Sequence, residues 1–289
     1  MVAPPAISLR EQNLQEKYRH LLDHFEPFII SYPANWSAFD LAPLGITIAE
    51  ERRYTATRLR SRDIVDGLHR LDAMTFGDQD MLMPRWVLFD CGEFPGLVFG
   101  FGCPADKLPE YARVAYQVEA RPDTFVPLSM WVAIRCAEEG AWFGHNLSSA
   151  NVMLRAEDRL PGLAILTKAL GVVTSRATLQ YGATQWSSGS IGLHLRLGEM
   201  ELLSAYTPAH THPETLSYRI EVNHRRLIGS LLHGYTPSTE DGDLVFRGDD
   251  HDAISILHDG IERGERWILK RIEANLDPEE PRRIHLVRG

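Results

Sequence analysis

Cysteine is scarce in this chain: 289 residues include three, Cys91, Cys103 and Cys136, with no C-x-x-C spacing. An odd and dispersed set excludes a disulfide framework and a zinc site built on paired thiolates; it reads as buried free thiols. Positive charge is not in excess either. Thirty Lys and Arg stand against 39 Asp and Glu, a formal net charge of -9, so no broad electrostatic grip on nucleic acid or on an anionic membrane is expected. Long apolar runs are missing. None reaches the roughly 18 to 20 residues of a spanning helix, and the best one, after Gly162, is broken by Lys168. The opening residues carry acids and bases where a signal peptide needs an apolar region. The expectation is a cytoplasmic protein with neither nucleic acid nor membrane as partner. Internal repeats and low-complexity tracts are absent, and so are G-x-S-x-G, G-x-x-x-x-G-K-[ST] and H-E-x-x-H, which removes the usual signatures of serine hydrolases, nucleotide triphosphatases and zinc proteases.

What is present is core-forming material, 44% hydrophobic residues, enough for one large domain or two ordinary ones. Residues 8–25 have a serine start, Glu11 three residues later, and Leu14, Tyr18, Leu21, Leu22 and Phe25 at helical intervals, which predicts an N-terminal helix. After a turn-rich loop, "ITIAEERRYTATRL" begins with strand-like alternation. A helix follows over "SRDIVDGLHRLDAMTFG", with Ser61 as N-cap and Ile64, Leu68 and Leu71 on one side. "PRWVLFDCG" and "GLVFGFG" read as strands joined by a hairpin-like connection, and "PADKLPEYARVAYQV" as a helical excursion. "VPLSMWVAIRC" and "SANVMLRA" read as strands separated by the connection "AEEGAWFGHNLS". Then come a helix from Gly162, the strand "TLQYGATQW", a short helix in "SSGSIGLHLRLG", and the strands "ELLSAYT" and "LSYRIEV". Alternating elements with several short links predict a mixed α/β sheet. Beyond Asn223, "HRRLIGSLLHGY" and "AISILHDGIERGERWILKRIEANL" are amphipathic around an acidic, turn-rich stretch. The domain plan expected is an N-terminal helix and linker over 1–43, a central domain over 44–223 and a C-terminal helical extension over 224–289.

The segment "RLPGLAILTKAL", Arg159 to Leu170, starts a helix on a bare glycine. A helix start exposes about four backbone N-H groups and the positive end of the helix dipole, which suits phosphate. Pro161 fits a first turn, and Gly162 has no Cβ to keep a ligand from the backbone.

The pattern Arg159-x-x-Gly162-x-Ala164, followed later by Leu193, Leu197 and Gly198 in "LHLRLG", resembles the GNAT acyltransferase superfamily, whose coenzyme A site uses [Q/R]-x-x-G-x-[G/A] at a helix start. The order of elements over roughly 44–222 agrees with that family. The resemblance implies a mostly antiparallel central sheet flanked by helices, with extra helical segments at both ends. It further implies acetyl-CoA or another acyl-CoA as cosubstrate, held by Arg159, Leu160, Gly162, Leu163 and Ala164. A small-molecule or protein amine would then attack the thioester directly. His194 occupies the place of the family's tyrosine, the general acid toward the CoA thiolate. Glu138 and Glu139 are the base candidates, and Trp142, Phe143, His145 and Asn146 combine flat apolar surface with polar groups in the manner of an acceptor pocket. Departures are visible as well: Pro161 withholds one N-H donor, and Glu157 and Asp158 put negative charge beside the loop. Two readings follow, a GNAT-like N-acyltransferase and a catalytically silent GNAT-like ligand- or protein-binding module. The amphipathic ends leave room for a homodimer. His210, His212 and Glu214, and the group Asp249, Asp250, His251 and Asp252, read as polar loops, and no metal is expected.

Overall fold

Strands that are apolar at successive positions must be covered on both faces. In the computed structural model the two such strands, β3 (Gly96–Pro104) and β4 (Phe125–Arg135), are buried at nearly every position. The structure describes residues 8–9, 12–33, 41–60, 62–208, 212–273 and 280–289. Glu11, Ser61 and His210 lie outside the described residues. The chain forms two compact units, one of Met1–Ala137, Gly144–Ala177 and Leu231–His233, the other of Glu138–Phe143, Thr178–Ser230 and Gly234–Gly289.

In the first unit α1 (Glu16–His24) leads into β1 (Glu26–Ile30), which pairs in parallel with the two-residue β2 (Arg53–Tyr54) and antiparallel with β3, itself antiparallel to β4. Helix α2 (Arg62–Phe76) packs on β4; α3 (Trp86–Glu93) packs on β3; α4 (Glu110–Tyr116) fills the connection from β3 to β4. Helix α5 (Leu163–Thr174) lies against β3 and β4, where Ser129 Oγ and Thr167 Oγ1 meet at 2.6 Å in the core. The ladder slips by one residue between Phe101 and Gly102, a bulge that re-aims β4. Strand β5 (Ala141–Ser149) begins with residues of the second unit, and from Gly144 onward it belongs to the first.

In the second unit β6 (Leu179–Gln185), a single-turn α6 (Ile191–His194), β7 (Gly198–Ser204) and β8 (Thr215–Val222) precede α7 (His224–His233), β9 (Leu244–Arg247), α8 (His251–Glu262), β10 (Trp267–Glu273) and β11 (Arg283–Arg288). The strand order is β6-β8-β7-β10-β11-β9, antiparallel at every neighbouring pair. Glu201 on β7 accepts from Arg219 on β8 and from Arg266, each at 2.9 Å, and these guanidinium groups, Arg266 foremost, hold its carboxyl below the usual range. The fold is mixed α/β with a mostly antiparallel sheet flanked by helices.

Four local readings of the sequence change. "PRWVLFDCG" is the helix α3 and not a strand, because Val87, Leu88 and Cys91 form one buried side at i, i+1, i+4. The connection "AEEGAWFGHNLS" contains β5, whereas "SANVMLRA" turns into a short 3-10 helix over Ala150–Val152. The segment Glu26–Ile30, unread in the sequence, is β1. The long C-terminal amphipathic stretch breaks: α8 stops at Glu262, Gly264 takes φ 91°, a conformation other residues rarely adopt, and β10 follows. Among the described residues the C-terminal region thus contributes three strands as well as two helices.

Candidate functional site at the start of α5

Gly162 is the N-cap of α5 with φ 83°, and no side chain caps the helix. Leu163 N-H turns back to Leu160 O at 3.2 Å, and Leu166 N-H is the next to find an acceptor, Gly162 O at 2.9 Å. Between them the half-buried Ala164 and Ile165 present amide groups at the positive end of the helix dipole. The loop that delivers them is held by Asn151, whose side chain donates to Leu160 O and accepts from Leu160 N-H, both at 2.7 Å. Arg159 is exposed and forms no ion pair among the described residues. The Asp158 carboxylate accepts from Tyr111 Oη at 2.7 Å, and Arg155 stacks on the same ring at 4.4 Å. These side chains line a cavity of about 600 Å³ beside the loop, together with Pro109, Glu110 and Val114.

Gly162 serves packing. A Cβ there would lie 2.6 Å from Cε1 of the fully buried Tyr18 on α1. Gly162→Ala is therefore expected to lower stability by about 2 kcal/mol, from the left-handed backbone and the ring contact together. Urea denaturation checks this, and an unchanged midpoint refutes the ring contact.

Along β5 the side chains of the predicted acceptor pocket divide. His145 is exposed, and its Nδ1 lies 2.5 Å from Asn146 Oδ1. Asn146 Nδ2 donates to Asp72 Oδ1 at 2.8 Å. Asp72, on α2 and wholly buried, also accepts from Ser148 Oγ at 3.4 Å and from Met83 N-H at 2.6 Å. Burial raises its pKa above the ordinary carboxylate range, and these donors pull the other way without cancelling it. Sequence reasoning missed Asp72. Its signal is legible in retrospect, since Leu68, Leu71 and Asp72 share one helical stripe and a carboxylate on an apolar stripe needs donors.

The remaining predicted residues lie in the second unit. Glu138 and Glu139 stand exposed in the turn before β5, and Glu138 accepts from Tyr181 Oη at 3.2 Å. Trp142 is buried and Phe143 exposed. His194 ends α6 at 6% exposure with its ring 5.0 Å from that of buried Tyr218. His251 Nδ1 meets Glu214 Oε1 at 3.2 Å, while Asp250 caps α8 through Ala253 N-H and Asp249 pairs with Arg247. Among the described residues no group of three His, Cys, Asp or Glu is placed to hold a metal ion.

No protein-family model matches the chain, and no curated protein matches it. Among solved structures, a NatC complex bound to Gag peptide and CoA is similar at 11% identity over 57% of this chain and 94% of that one, TM-score 0.38. A putative acetyltransferase of the GNAT family from Desulfovibrio desulfuricans is similar at 13% identity over 55% of this chain and 93% of that one, TM-score 0.33. The chain is similar to a GNAT-family structure.

Proposed function

We propose that this chain is an acyl-CoA-dependent N-acyltransferase, passing an acetyl or other acyl group directly from coenzyme A to a small-molecule or protein amine. The observation that carries the reading is the start of α5, which no side chain caps, where Arg159-x-x-Gly162-x-Ala164 brings a left-handed glycine and the amides of half-buried Ala164 and Ile165 to the positive helix end. A pyrophosphate is the kind of group such a site recognises. Pro161 costs one donor, but Ala164 and Ile165 follow it.

The test is ligand-induced stabilisation of the full chain. At a hundredfold excess over Kd, acetyl-CoA or free CoA stabilises the folded state by about 2.7 kcal/mol, a rise of several degrees in Tm. Ala164→Glu separates binding from folding: an acid in the first turn favours the helix by about 0.3–1 kcal/mol, yet it repels a pyrophosphate. The variant should keep its unliganded Tm and lose the shift. Absence of any wild-type shift at millimolar ligand sinks the reading, and a full shift in Ala164→Glu moves the site away from α5.

A second reading, a catalytically silent GNAT-like ligand- or protein-binding module, is favoured by the burial of His194 against Tyr218 and by the Tyr18 ring at Gly162. It predicts no CoA release from acetyl-CoA when amines are offered.

A further inference from the structure

We propose that α1 carries a site for a divalent transition cation of the zinc class, formed by His20 and His24, and that the bound ion staples the helix. The proposal stands apart from the acyltransferase reading and uses no part of it. The two histidines are four residues apart, the spacing that sets side chains one above the other on a helix face. Both are exposed, whereas Tyr18, Leu21 and Leu22 of the same helix are buried. Their rings already meet: the centroids are 4.2 Å apart and the planes are inclined by 30°.

The hydrogen bonding selects the nitrogen of His24 that would bind. Its Nδ1 lies 2.9 Å from the backbone oxygen of His20. A carbonyl oxygen only accepts, so Nδ1 carries the hydrogen and the lone pair of the neutral ring is on Nε2. An imidazole that donates its other N-H to a backbone carbonyl is the usual arrangement of a metal-ligating histidine, because the bond fixes both tautomer and ring orientation. His20 is steadied by a second ring, that of Phe25, edge-on at 6.4 Å. A metal about 2.0–2.1 Å from each of two imidazole nitrogens needs those nitrogens closer together than the present ring separation. Rotation of the exposed His20 ring about its Cβ-Cγ bond brings them together.

The local charge favours a cation. Arg19 is drawn to Leu14 O at 3.4 Å and Lys17 lies over the Tyr18 ring at 4.9 Å, while the exposed Asp23 stands between the two histidines in sequence. Neutral imidazoles suit zinc, copper or nickel, whereas magnesium and calcium take oxygen ligands. Among the described residues no third His, Cys, Asp or Glu completes a cluster, so water would fill the other positions. What the ion changes is the helix. With nine residues and no side-chain cap, α1 is shorter than the roughly 12–15 residues an isolated helix needs in water. A cross-link over one turn of its outer face holds its inner face, where Tyr18 closes on Gly162.

The experiment uses the full chain, stripped with a chelator and then given Zn²⁺ or Mg²⁺. It reads thermal melts, hydrogen exchange of the α1 amides and ¹⁵N NMR of the histidine rings. Zn²⁺ at a hundredfold excess over Kd should raise Tm by several degrees, slow exchange along α1 and shift the ring-nitrogen resonances of His20 and His24. Mg²⁺ should do none of these. His20→Gln and His24→Gln, both at exposed positions, should keep the metal-free Tm, and each should lose the Zn²⁺ effect. Unchanged melts and histidine spectra of the wild type at millimolar Zn²⁺ overturn the site. A full Tm shift in both variants overturns it as well, because the ion then sits elsewhere. Histidine resonances that move while α1 exchange stays the same overturn the staple. No CoA enters the test, so its failure is distinct from failure of the acyltransferase reading.

Discussion

Replacing Lys168 with methionine is expected to stabilise the protein by on the order of 3 kcal/mol at pH 7, with a gain that shrinks as pH rises. Lys168 is 2% exposed in the middle of α5, and burial alone lowers its pKa to about 7. The folded pKa lies below the unfolded one, so between about pH 7 and the ordinary lysine range the unfolded chain holds a proton that the folded chain has lost. Wild-type stability therefore rises with pH across that window. Below it the cost is complete, and above it the cost is gone. Cys91 and Cys103, both pushed up to about 12 by burial, act in the opposite sense once unfolded thiols ionise above about pH 8.5, but both proteins carry them and they cancel in the difference. Each pH unit in the window removes up to about 1.4 kcal/mol of the difference. Urea denaturation of wild type and Lys168→Met at pH 7.0 and 8.5 reads it directly. A pH-independent difference shows that Lys168 stays protonated in the fold.

Asp72→Ala is expected to cost about 3 kcal/mol, because it leaves Met83 N-H, Asn146 Nδ2 and Ser148 Oγ without their shared acceptor in a buried place. Asp72→Asn should cost less, since the amide keeps one acceptor oxygen and buries no charge. The pH dependence separates the two causes. Asp72 has a raised pKa, so just above the ordinary carboxylate range the folded chain keeps a proton that the unfolded chain has released. Wild type therefore loses stability as pH climbs through that window, and Asp72→Asn lacks this loss. Equal stability of Asp72→Ala and wild type in thermal melts across pH 4 to 7 would show that the network carries no net energy.

The start of α5 was readable because its signals are local: a proline, a glycine that needs positive φ, and an apolar helix behind them. The strand β5 was not. Its sequence "AWFGHNLSS" has small and polar residues at positions that a strand buries against neighbours, and local propensity cannot count those neighbours. The same limit explains α3, whose apolar run fits a short strand or a helix equally until its packing partner is known. His145 and Asn146 stood out as polar groups among aromatics, but what holds Asn146 is Asp72, 74 positions away along the chain.

By itself the sequence determined that the core would be mixed α and β, that a helix would open on Gly162, and that no paired-cysteine framework would staple the fold. Each of these follows from composition, periodicity or the backbone freedom of one residue. Only the tertiary structure decided that Tyr18 would close on Gly162, that Lys168 would be buried, and that Asp72 would accept from Met83, Asn146 and Ser148. Those are contacts between segments far apart in the chain, and their energies come from burial and shared hydrogen bonds that exist only once the sheet has brought the segments together.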